Sequence, residues 1–124
     1  MVSVGKDKGP TLELAEEYAR RLQRFCELDL VEVKEDVLAR VRGEMWALDQ
    51  RGVELTSEEL ARKLSAQMTF CIGGDEGHTD EVRKGARFLW SLSKLTLPHR
   101  IARVVVLEQL YRAFEIIRGG PYHK

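Results

Sequence analysis

The run Met68-Thr69-Phe70-Cys71-Ile72 is apolar at nearly every position, the pattern of a strand covered on both faces at the centre of a sheet. A strand of that kind needs helices above and below it, so it constrains the whole chain to layered α/β architecture. The remaining periodicities agree. Val2 to Val4, Leu28 to Val33, Glu44 to Leu48 and Arg87 to Leu92 read as further strands, the third closed by a turn over Asp49 to Gly52. Between them, Thr11 opens a helix with Leu12, Ala15, Ala19, Leu22 and Phe25 at helical spacing. Asp36 to Arg42 suits a short helix, and Thr56 with Glu59 forms a capping-box pair ahead of Leu60, Ala61 and Leu64. Thr79 or Asp80 caps a brief helix through Ala86. Pro98 suits the first turn of a final helix that runs to about Arg118 and stops at Gly119-Gly120-Pro121. The expectation is one α/β domain over residues 1–124, a mostly parallel sheet with helices on both faces.

Composition narrows the function. With 44% hydrophobic and 32% charged residues, the chain is an ordinary folded domain rather than a disordered segment. No apolar run has membrane-spanning length, and no signal-peptide pattern precedes the first strand. Cys26 and Cys71 lie far apart inside apolar patterns, which reads as two reduced, buried thiols in a cytoplasmic protein. No His, Cys and acidic set has metal-ligand spacing, so no metal is expected. A Gly-x-Ser-x-Gly elbow is also missing, which removes the commonest route to a nucleophilic triad.

Net charge is zero, but its distribution is uneven. Acids crowd the first two thirds, whereas Lys94, Arg100, Arg103, Arg112, Arg118 and Lys124 face only Glu108 and Glu115 in the last third. A basic face on the final helix can meet phosphate; a solvated helix face explains the same pattern. That helix is apolar around more of its circumference than one core contact requires, so part of it is expected to meet a second copy of the chain.

In sheets of this class, ligands bind beyond the carboxyl ends of the strands. That rule gathers Asp49, the loop Gly73-Gly74-Asp75-Glu76-Gly77 and the loop Leu92-Ser93-Lys94-Leu95-Thr96-Leu97 into one neighbourhood. The glycines either admit a ligand to the backbone or simply make a tight turn. The second loop either reads a flat heteroaromatic ring with main-chain groups between leucines, or is a plain connection in which Thr96 caps the helix. His99 is either a packing residue or a catalytic one. Tyr122 and His123 are either a loose end or, stiffened by Pro121, a segment folded back over a site. Trp46 and Trp90 suit the core.

Several of these segments together resemble one family. They are Phe70 to Gly77, Trp90 to His99, Arg103-Val104-Val105, Glu108 to Phe114 and Pro121-Tyr122-His123-Lys124, with Val2 to Lys6 and Ala47 to Gly52 also matching. The family is the bacterial 23S ribosomal RNA pseudouridine N3-methyltransferase, a small member of the SPOUT class. The resemblance implies a C-terminal segment threaded as a deep trefoil knot, a homodimer, and S-adenosylmethionine bound in the knotted loops. The implied product is N3-methylpseudouridine in helix 69 of 23S RNA, made on assembled ribosomes. Carried over by motif, Leu48, Gly73, Leu92, Ser93, Lys94, Leu95, Thr96 and Leu97 hold the cofactor. His99, Arg103, Arg112, Tyr122, His123 and Lys124 fall near the acceptor nucleotide. There His123 is the favoured base or hydrogen-bond partner, Tyr122 orients the uracil ring, and Arg103 and Arg112 meet phosphate or a developing anion. Two departures stand out: the stretch from Val33 to Trp46 is shorter than in that family, and His78 follows the glycine loop where an apolar residue is usual. Two competing readings are the same chemistry on another RNA, and a dimeric RNA- or ribosome-binding protein without catalysis.

Overall fold

A computed structural model describes every residue except Lys6, Glu35, Asp75 and Lys124, and only the backbone of Val2 and Val4. Five strands form one sheet in the order β2-β1-β4-β3-β5, with every neighbouring pair parallel. They are β1 (Val2–Val4), β2 (Val31–Val33), β3 (Glu44–Glu54), β4 (Met68–Ile72) and β5 (Phe88–Ser91). Four helices connect them: α1 (Pro10–Leu22), α2 (Ser57–Lys63), α3 (Asp80–Gly85) and α4 (His99–Arg118). A 3-10 turn at Val37–Arg40 takes the place of the helix expected over Asp36 to Arg42.

β4 is central, as its unbroken apolar pattern requires. Strand alternation sends its residues to two different cores. Phe70 and Ile72 join Trp46 and Trp90 under α1, α2 and α4, while Cys71 joins Met45 and Ala47 under Val37 and Val82. The two tryptophans are 2% exposed and meet edge to face, centroids 5.8 Å apart, so they are core residues. Thr56 and Glu59 make the capping box reciprocally at the start of α2, and Thr79 caps α3 through the Val82 amide.

Other elements also differ from the sequence expectation, α1 among them, which is opened by Pro10 and ends at Leu22 before Phe25. The second strand begins at Val31, not Leu28, because its ladder with β1 starts at the Val2–Val31 pair. β3 does not end at Leu48. It runs on to Glu54 across a bulge in which Leu48 and Val53 both face Trp90, leaving residues 49–52 looped out. Glycine is needed at position 52, where a Cβ would stand 2.3 Å from the Leu89 carbonyl oxygen. Pro98 is the N-cap of α4 rather than a first-turn residue, and no side chain caps that end.

The basic excess of the last third is largely neutralised within the molecule. Arg112 pairs with Glu108 at 2.9 Å and Arg118 with Glu115 at 2.6 Å. Arg103 is 3% exposed; its guanidinium meets Asp7 at 3.1 Å and Glu32 at 3.3 Å, and donates to the Ser3 hydroxyl.

Candidate functional site

The carboxyl ends of β3, β4 and β5 and the start of α4 enclose a cavity of about 410 Å³, inside the range of small-molecule sites. Leu48, Gly73, Leu92, Ser93, Leu95, Thr96 and Leu97 line it, with His99 at its helical wall. Lys94 is not in the wall; its carbonyl accepts a hydrogen bond from Gln50 Nε2 at 2.9 Å. Both loops singled out from the sequence therefore face one space, as the strand-end rule requires.

Each loop is shaped by local bonds. The Gly77 amide donates to the Gly74 carbonyl at 3.0 Å, folding the glycine loop into a tight turn with Gly77 at φ +77°. A side chain at Gly73 would begin 2.7 Å from the Gly77 carbonyl carbon, so only glycine allows this closure. In the other loop the Leu95 amide donates to Ser93 Oγ at 3.0 Å, and the Ser91 hydroxyl donates to the Ser93 carbonyl at 3.0 Å. Thr96 does not cap α4; its hydroxyl donates to Gln50 Oε1 at 3.2 Å. Leu95 is 72% exposed beside the cavity, an apolar side chain at the mouth rather than in the core.

The cavity floor is polar on its α3 side. Asp49 lines the cavity and accepts from Arg83 Nε at 2.7 Å and from the Arg51 amide at 2.9 Å. Burial works against the Asp49 charge, but the Arg51 amide and the Arg83 guanidinium outweigh it and hold the carboxyl below its ordinary range. His78 is buried, and its Nε2–H donates to the Cys71 carbonyl at 2.9 Å, tying the loop to β4. Burial lowers the His78 pKa from its ordinary value, despite the opposing pull of that carbonyl and of Asp49. Arg83 carried no signal in the sequence, because it is not near the cavity until α3 is placed; Gln50, which lines the cavity, stood inside the matching segment Ala47 to Gly52 but was not singled out.

The tail forms a second cluster. Tyr122 donates to Glu108 Oε2 at 2.9 Å and lies edge-on to Tyr111, centroids 4.8 Å apart. Burial and its bonds to Tyr18 and Glu108 push the Tyr122 phenol well above its usual range. The Arg112 guanidinium sits 4.8 Å over the Tyr122 ring and 3.0 Å from His123 Nδ1. A guanidinium only donates, so Nδ1 accepts and Nε2 carries the hydrogen that goes to Glu58. That bond in turn keeps the Glu58 carboxyl below its ordinary range.

Within one chain the tail does not fold over the cavity. His99 opens α4 and Arg112 lies far along it, roughly 20 Å away at a rise of ~1.5 Å per residue. Arg103 is turned into the protein, so direct contact with RNA is closed to it. Lys124 and Asp75 lie outside the described residues. Among the described residues, no group of three His, Cys, Asp or Glu stands close enough to hold a metal ion, and no helix is long and apolar enough to cross a membrane.

Known proteins supply the remaining context. The family model described as "Predicted SPOUT methyltransferase" matches residues 1–123. Ribosomal RNA large subunit methyltransferase H from a strain of Thermus thermophilus is 45% identical over 132 residues, covering 100% of this chain and 96% of the relative. The Acetivibrio thermocellus protein of the same name is 37% identical, covering 100% of this chain and 98% of the relative. Among solved structures, the SpoU methyltransferase AviRb from Streptomyces viridochromogenes, in complex with AdoMet, superposes with a TM-score of 0.53 at 13% identity. That match covers 96% of this chain and 60% of the other, and at such identity it speaks for the fold alone. A full-length family match and relatives of this similarity have one meaning: the chain belongs to the SPOUT methyltransferase family.

Proposed function

We propose that the protein is an S-adenosylmethionine-dependent methyltransferase acting on N3 of a pseudouridine in helix 69 of 23S ribosomal RNA, in the assembled ribosome. The observation that carries this reading is the single cavity shared by loops 73–77 and 92–97. Its walls suit the donor: leucine side chains stand on the 92–97 side for the flat adenine, and a tight glycine turn lies opposite. When bound, S-adenosylmethionine supplies an electrophilic methyl group on a sulfonium. Leu48, Gly73, Leu92, Ser93, Leu95, Thr96 and Leu97 would hold and orient it, with Lys94 fixing the loop through its carbonyl, and such positioning supplies much of the rate.

The acceptor side belongs to the tail. An imide nitrogen must lose its proton before it attacks, which calls for a base or for cations that stabilise the anion. His123 Nδ1 holds a lone pair directed at Arg112, so the two act as a unit. His123 takes up the proton when Arg112 swings to the base, or Arg112 stabilises the anion while His123 orients it. Tyr122, braced by Glu108 and lying under the Arg112 guanidinium, orients the uracil ring. His99, at the cavity wall, stands between donor and acceptor in this reading.

Because tail and cavity sit at opposite ends of α4, the working unit we propose is a homodimer in which one chain's tail serves its partner's cavity. Ile101, 42% exposed, continues with Val104 and Val105 as an apolar stripe on α4, the surface such a pairing would cover. The family's knotted C-terminal segment and a cytoplasmic location belong to the same reading.

The short connection from Val33 to Glu44 favours one second reading, the same chemistry on a different RNA, since less polar surface is available to meet the ribosome. Mass spectrometry of helix-69 nucleotides, from ribosomes incubated with the protein and labelled donor, decides between them. One methyl on the helix-69 pseudouridine supports the first reading; label found only in other RNA supports the second. Donor binding without transfer to any RNA defeats both.

A further inference from the structure

Two neighbouring residues of the β3 bulge reach in opposite directions. Asp49 accepts from Arg83 Nε on α3 at 2.7 Å, and Arg83 Nη2 also lies 3.7 Å from the point where a Gly77 side chain would begin. Gln50 donates from Nε2 to the Lys94 carbonyl at 2.9 Å and accepts from the Thr96 hydroxyl at 3.2 Å. One dipeptide therefore holds Arg83, which stands beside Gly77, with one residue and bonds the 92–97 loop with the next. We propose that Asp49 and Gln50 form a two-way staple, anchored on α3 by Arg83, that sets the spacing of the cavity walls and makes Gln50 and Arg83 positioning residues for the methyl donor.

The inference rests on the cavity being the donor site. Its physical basis is preorganisation. The 92–97 loop is solvent-facing, and its remaining local bonds, those within residues 91–95, set its shape but not its distance from β4. A loop that must be ordered at the moment of binding lowers affinity without any lost contact to ligand. The Asp49 side chain is 7% exposed, so its charge-assisted bond to Arg83 is shielded from water, whereas the Gln50 bonds are exposed and weaker.

Titration calorimetry with S-adenosylmethionine, alongside steady-state methylation of ribosomes, tests this. Gln50→Ala and Arg83→Gln are expected to weaken donor binding about three- to tenfold, the range of one or two lost hydrogen bonds. Arg83→Lys, which keeps the charge beside Asp49, should recover most of the loss. At saturating donor, kcat should stay within about twofold of wild type, with the change carried by the donor KM. Unchanged donor affinity in both variants overturns the staple, as does a fall in kcat with affinity intact. Should Arg83→Gln melt early, Gln50→Ala carries the test, since its bonds lie at the surface. Failure of the wild type itself to bind donor removes the donor-site reading and the staple together, and shows in the first titration.

Discussion

Arg112 Nη1 lies 3.0 Å from His123 Nδ1, so the tail histidine is locked as the tautomer whose hydrogen points to Glu58. The pair lies far along α4 from the cavity of the same chain, so the two roles proposed for them can be tested separately. His123→Ala is expected to lower single-turnover methylation by about 10²- to 10⁴-fold, the range of general acid–base catalysis. Donor affinity by calorimetry should not change. Full turnover in this variant would take His123 out of the mechanism.

A shared site predicts complementation. Thr96→Arg places a cation in the cavity wall, and Arg112→Ala disarms the tail; each homodimer should be inactive. After unfolding and refolding the two together, half the dimers are mixed and each holds one intact site, so about a quarter of wild-type activity should return. No recovery from a mixture shown to contain heterodimers would place cavity and tail function in one chain.

Arg103 supports the fold. Removing it leaves the fully buried Asp7 carboxylate without its principal partner, with Arg100 at 3.7 Å as the remaining cation. Arg103→Ala should cost about 3–5 kcal/mol in chemical denaturation, as for other broken buried pairs. The salt dependence of RNA binding should keep its wild-type slope in any variant that remains folded; a shallower slope would mean that Arg103 touches phosphate after all.

His78 makes stability pH-dependent. Its pKa is lowered in the folded protein, chiefly by burial, so below the ordinary value of 6.5 the unfolded chain binds a proton that the folded chain refuses. Stability is therefore complete above that value and declines as pH falls toward the lowered folded pKa. Asp49, whose pKa is also lowered, adds a separate loss only below its ordinary value of 3.8. Urea melts between pH 7 and 5 should show the first decline in wild type and a flatter curve in His78→Leu. Parallel curves would assign the effect to other groups.

Gly52→Ala tests the bulge. The new Cβ would meet the Leu89 carbonyl oxygen at 2.3 Å, and backbone cannot yield as a flexible side chain can. A loss of about 1–3 kcal/mol in urea denaturation is expected, as for other overpacked sites, together with weaker donor binding. A variant as stable as wild type would mean the bulge relaxes freely.

Local rules made most of the fold legible. β4 matched its apolar run, the Thr56 capping box held reciprocally, and Gly119 took the left-handed conformation, φ +73°, that ends α4. These features depend on residues within a few positions of one another, where propensity and capping act. The strand-end rule also brought Asp49 and the two loops together from the order of elements alone. What stayed hidden was non-local. Continuation of β3 past Leu48 depends on β5 lying alongside it, and Arg103 reads as a surface cation until Asp7 and Glu32 close over it.

The sequence alone thus determined the layered α/β class, the capping of α2 and α3, the glycine stop of α4 and the convergence of the two loops on one cavity, because hydrophobic period and terminal capping are written in neighbouring residues. Only the tertiary structure decided which charges are buried in pairs, that Asp49 meets Arg83 while Gln50 bonds the 92–97 loop, and that the tail lies a helix length from its own cavity. Those relations depend on where distant elements come to rest. Packing sets such positions; no local pattern encodes them.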